Sequence, residues 1–298
     1  MDKRTRVALA GCGRHGRYHL DMILALSDRL ELVGICDKDS RRLSDAASIA
    51  GTSVVATNSL GRLLREKPDF VVVSVDSIQG PQVCEKILNA GIHILSEVPP
   101  AYSGPQAARM LEIARKRGLI LAAFENYVCT PIERLKQKAI KADLFGKVDT
   151  IEIGGSVNHK GHEIAIARSY IGRDQAPVRV RADKYGVMSS RNTQGIEIPA
   201  VLSSQVEFES GAVANFLLSG WGSIGPARAI AGAMRNFNGA KGGFKSEHFF
   251  LGKAENPFEQ TPLKLDAVTK EVDGETVLDK LTLQSDSPVT WENPFANH

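Results

Sequence analysis

Val7-Ala8-Leu9-Ala10-Gly11-Cys12-Gly13-Arg14-His15-Gly16 is the stretch whose reading decides the fold. Four apolar residues without alternating polarity read as a short strand covered on both faces. The GxGxxG pattern that follows opens onto a segment whose Leu20, Ile23 and Leu24 share one helical face. Strand, glycine turn and helix start in that order make a phosphate cradle. Gly11 allows the tight turn, Gly13 lets the backbone approach a pyrophosphate, and Gly16 lets helix and sheet pack closely. The helix N-terminus adds unpaired amides and about half a positive charge, and Arg14 and His15 add cationic character. The next strand, Leu32 to Cys36, ends in Asp37. A carboxylate there accepts hydrogen bonds from adenosine ribose hydroxyls and repels a 2′-phosphate. NAD is therefore the expected cofactor, with NADP kept open by Lys38, Arg41 and Arg42.

Working outward, the same texture repeats. Apolar runs at Phe70 to Val75, Ile92 to Leu95 and Leu119 to Ala123 alternate with helical segments at His15 to Ser27, Ser40 to Ala50, Ser59 to Glu66, Pro81 to Ala90 and Gly104 to Arg117. Strand and helix in alternation predict an α/β domain over residues 1–123, built on a doubly wound parallel sheet. Ligands of such sheets sit beyond the strands' carboxyl ends, which makes Ser74 and Asp76 expected cofactor contacts. After Phe124 the period changes. A helix is predicted over Pro131 to Ala142, with Ile132, Leu135 and Ala139 on one face, followed by alternating strands around Ile151 and Val178 to Asp183 and a hairpin turning at Glu209-Ser210-Gly211. Residues 124–298 thus read as an α+β domain with an open, mainly antiparallel sheet, in which glycine-rich Asn236 to Phe244 is expected to be a loop.

Composition excludes other classes. The chain has 298 residues, 43% of them apolar and 24% charged, with 37 basic and 34 acidic residues giving a net charge of +3. The basic residues are scattered, which argues against nucleic acid as a partner. No apolar run reaches the length of a membrane span and no leader precedes the first strand, so a cytoplasmic location is expected. Cys12, Cys36, Cys84 and Cys129 form no CxxC pair and are read as small buried apolar residues, with no metal site expected.

At Gly91-Ile92-His93-Ile94-Leu95-Ser96-Glu97-Val98-Pro99, taken with the opening glycines and Glu125-Asn126-Tyr127, the chain resembles the glucose-fructose oxidoreductase, inositol dehydrogenase and MocA family of nicotinamide-dependent enzymes. The resemblance implies a Rossmann domain followed by a substrate domain, with the substrate held between the two. It also implies cofactor contacts from Glu97 and Asn126. Glu97 would seat the nicotinamide ribose or order the turn Val98-Pro99-Pro100. The family's strand ends in Glu-Lys-Pro, and its lysine handles a proton of the sugar hydroxyl. Val98 stands in that place here and can neither give nor take a proton. Losing a positioned acid or base typically costs about 10²- to 10⁴-fold in rate, so either another group has taken over or the chemistry differs. The family's catalytic histidine is matched by His162, in Lys160-Gly161-His162 at the start of a helix closing at Gly172. His159 is a second candidate and Tyr127 an alternative proton donor. Asn158 and Ala165 occupy positions where relatives carry carboxylates.

Three functions follow. The first is an NAD(P)-dependent oxidoreductase of a small molecule: a sugar, a cyclitol, or an imine or enone. The second is a nucleotide-binding regulatory or scaffolding protein without hydride chemistry. The third is an NAD-assisted glycosidase. Self-association into a homo-oligomer is expected through the apolar face of the second domain's sheet.

Overall fold

The computed structural model describes residues 4–76, 78–156, 160–191, 197–219, 234–253 and 256–294. The chain divides into two compact units, Met1–Glu125 and Asn126–His298, against a boundary of 123/124 in the sequence reading.

In the first unit β1 (Thr5–Ala10), α1 (Arg14–Ala25), β2 (Leu30–Cys36), α2 (Ser40–Ala50), β3 (Val55–Thr57), α3 (Leu60–Leu64), β4 (Phe70–Val73), α4 (Gly80–Asn89), β5 (His93–Ser96), α5 (Gly104–Arg117) and β6 (Leu121–Ala123) alternate along the chain. The six strands form one sheet in the order β3-β2-β1-β4-β5-β6, with every neighbouring pair parallel. This is the Rossmann order, whose crevice lies where the winding reverses between β1 and β4. The double winding is visible in β1 itself. Val7 and Leu9 pack with Leu20, Ile23, Leu43 and Ala46 of α1 and α2, whereas Ala8 and Ala10 pack with Leu63, Ile87, Met110 and Ala114 of α3, α4 and α5. Alternate residues of a strand face opposite sides of the sheet, so an uninterrupted apolar run is what two covered faces require. The sequence reading passes over β3, whose three residues are too short to show a period.

In the second unit a 3-10 turn (Tyr127–Cys129), α6 (Pro131–Lys141), β7 (Val148–Ser156), α7 (Lys160–Ile171), β8 (Pro177–Arg191), β9 (Glu197–Phe208), β10 (Val213–Ser219), β11 (Arg235–Gly239), β12 (Gly242–Lys245), β13 (His248–Lys253) and β14 (Asn256–Leu263) precede a three-stranded sheet of β15 (Leu265–Val272), β16 (Glu275–Leu283) and β17 (Val289–Glu292). The eight-stranded sheet runs β14-β13-β12-β11-β7-β10-β9-β8. It is antiparallel except where β7 meets β10. α6 and α7 cover one face, burying Leu135, Ala139, Ile166 and Tyr170 against Ile151, Ile153, Phe216 and Phe237. Among the described residues no helix is long and apolar enough to cross a membrane.

Two sequence expectations are corrected. Asn236 to Phe244 is not a loop but the hairpin of β11 and β12, in which Phe237 pairs with Phe244. Its glycines serve close packing: a Cβ on Gly243 would stand 2.0 Å from the Phe237 carbonyl oxygen and one on Gly239 2.4 Å from that of Phe145. Glycine inside a strand marks a close backbone approach as well as a turn. Cys129, expected to be buried, is exposed, with its Sγ 3.3 Å from Arg134 Nη2.

Candidate functional site

The glycine turn is assembled by backbone contacts. Gly11 N–H donates to Cys36 O at 2.8 Å and Ser74 N–H to Ala10 O at 2.7 Å, tying the ends of β1, β2 and β4 together. The three motif glycines then separate by role. Gly11 has φ +96°, and a Cβ on it would lie 2.2 Å from Ser74 O; one on Gly16 would lie 1.9 Å from Gly11 O. Those two are closed off by the protein's own backbone. Gly13 is different, because its Cβ would find nothing nearer than Arg42 Nη1 at 3.8 Å. Gly13 caps α1 in an extended conformation and, having no side chain, makes no side-chain cap to the helix's first amides. An open glycine before uncapped amides fits a pyrophosphate, which needs both the space and the donors.

A cavity of about 460 Å³ opens at this end of the sheet, lined by Gly11, Gly13, Asp37, Arg42, Ser74 and Asp76 among others. Of the expected cofactor residues, five are thereby brought together; Gly16 is buried beneath the turn, while Arg14 and His15 are exposed on α1. Asp37 has a second job that the sequence does not show. Its Oδ2 accepts from Cys12 N–H at 2.7 Å and its Oδ1 from Asp39 N–H at 2.8 Å, so the carboxylate fastens the glycine turn to the end of β2. Each oxygen keeps a further lone pair for a ribose hydroxyl. Burial, reinforced by the charge of Asp37, pushes the Cys12 thiol up to about 12. Burial likewise pushes Cys36 and Cys84 to about 11. All three thiols stay protonated and inert.

Glu97 follows β5, and its partner is a residue the sequence reading missed. His19, nearly fully buried on α1, places Nε2 at 2.7 Å from Glu97 Oε1, and its ring meets Phe124 edge-on at 4.8 Å. Glu97 Oε2 accepts from Val98 N–H at 3.1 Å, next to the cis Val98-Pro99 bond. Burial raises the Glu97 pKa, but the hydrogen bonds from His19 and Val98 N–H outweigh it and leave the carboxyl below its usual range. The signal was present in the sequence. Gly16, His19, Leu20 and Ile23 are the buried face of α1, and a histidine inside such a stripe needs a polar partner.

The second unit supplies the other candidates. Tyr127 and His162 are brought together: their rings stack with centroids 4.2 Å apart and planes within 14°. Asn126, the first residue of the second unit, is exposed, and its carbonyl accepts from Cys129 N–H at 3.0 Å. Asn158 and His159 lie outside the described residues. Beneath the stack is a buried charge cluster that the sequence reading did not find. Glu133 Oε1 accepts from Lys136 Nζ at 2.9 Å and from Arg235 Nη1 at 3.3 Å. Tyr170 Oη–H donates to Glu133 Oε2. Lys136 and Glu133 are each 1% exposed. Burial holds the Lys136 ammonium below its usual range against the opposing pull of Glu133. Burial, with the adjacent Glu133 carboxylate, pushes the Tyr170 phenol well up.

Residues 5–125 match the family described as "Oxidoreductase family, NAD-binding Rossmann fold". Among curated proteins the chain is 28% identical over 144 residues to D-apiose dehydrogenase of Paraburkholderia graminis, covering 48% of this chain and 38% of that protein. It is 36% identical over 121 residues to D-glucoside 3-dehydrogenase of Escherichia coli, covering 39% and 33%. The match thus spans little more than a third of these relatives' lengths. Among solved structures, the WlbA dehydrogenase of Chromobacterium violaceum in complex with NADH and UDP-GlcNAcA aligns with a TM-score of 0.68 at 22% identity, over 82% of this chain and 74% of that one. An NAD binding oxidoreductase from Klebsiella pneumoniae aligns with a TM-score of 0.71 at 17% identity, over 87% and 79%. These two likenesses extend the shared fold into the second unit.

Proposed function

We propose, on the premise that residues 5–125 belong to the glucose-fructose oxidoreductase, inositol dehydrogenase and MocA family with its NAD-binding Rossmann fold, that the chain is an NAD-dependent oxidoreductase of a small sugar or cyclitol. The observation that carries this reading is the cavity beside the open Gly13 and the uncapped α1 N-terminus, with Asp37 on its wall. The α1 amides would hold the pyrophosphate, Asp37 the adenosine ribose, and Ser74 and Asp76 the ring beyond them. When bound, the nicotinamide supplies the hydride acceptor or donor. Glu97, kept ionised by His19, would accept a ribose hydroxyl's hydrogen bond. Because Val98 carries no proton, the substrate's proton falls to Tyr127 Oη or to an imidazole nitrogen of His162, whose stack fixes the planes of both rings. The names of the curated relatives favour a sugar over an imine or enone.

A second reading, a nucleotide-binding protein without hydride chemistry, is favoured by Val98 and by Ala165, which packs against the core where a carboxylate would assist His162. Screening sugars, cyclitols and cyclic imines for an absorbance change at the nicotinamide band decides between them. Turnover of at least one sugar or cyclitol is expected; NADH binding with no turnover on any of them gives the second reading. Cofactor choice has its own test. Asp37→Ala is expected to weaken NADH and NADPH binding alike through the lost anchor of the turn. It should also narrow their ratio by about 5-fold or more, since unit charges 4 Å apart repel by roughly 1 to 4 kcal/mol. An unchanged ratio removes Asp37 from cofactor selection. Self-association through the second unit's sheet is supported by exposed Tyr185 of β8 and Leu217 of β10, which the strand pairing places on the same face.

A further inference from the structure

We propose that Arg235 is a positioning residue for the proton-handling pair: anchored by Glu133, it holds the Tyr127 ring in its stack on His162. The inference rests on the reading of Tyr127 and His162 given above and adds a residue to it. Four side chains from four elements meet here. Arg235 opens β11, Glu133 lies on α6, Tyr127 in the 3-10 turn and His162 on α7. The Arg235 guanidinium carbon lies 5.7 Å from the centre of the Tyr127 ring, and that ring lies 4.2 Å from the His162 ring. A guanidinium over an aromatic face is attracted by the ring quadrupole, and its planar fork fixes the ring where a flexible ammonium would not.

The anchor is rigid because Glu133 has no freedom to turn. One oxygen takes Lys136 and Arg235 and the other takes Tyr170; Glu133, Lys136 and Tyr170 are buried, and Arg235 is half-buried. Arg235 itself is poorly explained by stability. Its Nε is buried and meets no hydrogen-bond partner among the described residues. An unsatisfied buried donor is a cost, one that methionine at this site would avoid. What arginine supplies and methionine cannot is the bond to Glu133 together with a cation over Tyr127.

Arg235→Met tests this, with Arg235→Gln as a second variant should the first fail to fold by near-ultraviolet circular dichroism. On a substrate that turns over, kcat is expected to fall about 10²-fold, the scale of a misplacement by about 1 Å, while the Kd for NADH is unchanged. Tyr127→Phe combined with Arg235→Met should be no slower than the slower single variant, because both changes act on one group. Arg235→Lys keeps the charge without the fork and should not rescue. Independently of turnover, the His162 ring-proton resonances, assigned by their disappearance in His162→Gln, should move downfield in Arg235→Met toward their positions in Tyr127→Leu as the stacked ring departs. Fully additive losses, or wild-type kcat and resonances in Arg235→Met where Tyr127→Phe is slow, overturn the proposal. If Tyr127→Phe keeps full turnover, the catalytic reading of Tyr127 falls instead, and the resonances alone decide whether Arg235 holds the stack.

Discussion

Glu133→Ala is expected to destabilise the second unit by about 3 to 5 kcal/mol, the cost of breaking a buried ion pair by removing one partner. For a unit of this size that corresponds to a fall in melting temperature of roughly 6 to 20 °C. The loss is large because Glu133 is the carboxylate that Lys136, Arg235 and Tyr170 all reach. Without it the Lys136 ammonium is a buried cation beside Arg235, offset only by the weaker field of Glu247. The sign of the pH dependence follows. Burial already holds Lys136 below its usual value of 10.5, and removing Glu133 lowers it further. Between the folded and unfolded values the unfolded chain binds more protons, so stability rises with pH there. The deficit of Glu133→Ala should therefore shrink as the solution is made alkaline. Adding Lys136→Met should recover part of it, because apolar replacement of both partners removes the stranded charge. Thermal melts at neutral and alkaline pH check this; a variant melting within a degree or two of the wild type would show the cluster to be energetically idle.

His162→Ala and Tyr127→Phe are each expected to lower turnover by about 10²- to 10⁴-fold, the usual contribution of a positioned acid or base. NADH affinity should stay near the wild-type value, since the described residues that line the cavity belong to the first unit. Steady-state kinetics with a separate binding titration make the distinction. If both variants turn over at the wild-type rate, the proton passes through some other group. Should both instead lose NADH affinity, the assignment of roles to the two units is wrong.

The fold was legible where periodicity had length to work with. β1, α1 and the Gly11 to Gly16 turn could be placed because an unbroken apolar run, a glycine pattern and a helical stripe are each distinct over that span. Asp37 was legible as an acid ending a strand, but its grip on Cys12 N–H was not, since only the turned backbone brings that amide to it. The hairpin of β11 and β12 was hidden because glycine signals a turn when read alone, and the close approach of Gly243 to Phe237 is a tertiary fact. His19 and Lys136 were within reach. Each falls inside the apolar stripe of its own helix, where a polar group demands a partner. Arg235 was not, because nothing local to β11 announces Tyr127 or Glu133, 102 residues away.

The central claim, that the amides beyond β1 form a dinucleotide cradle, is tested most directly by calorimetric titration of NADH into the wild-type chain and into Gly13→Ala. Gly13 has open space around its would-be Cβ, so the variant should melt with the wild type while its methyl group intrudes on the pyrophosphate. The account predicts one saturable site per chain, weakened about 5- to 150-fold in Gly13→Ala, the effect of 1 to 3 kcal/mol of steric overpacking. No saturable binding by the wild type, or equal affinity in the variant, would contradict it.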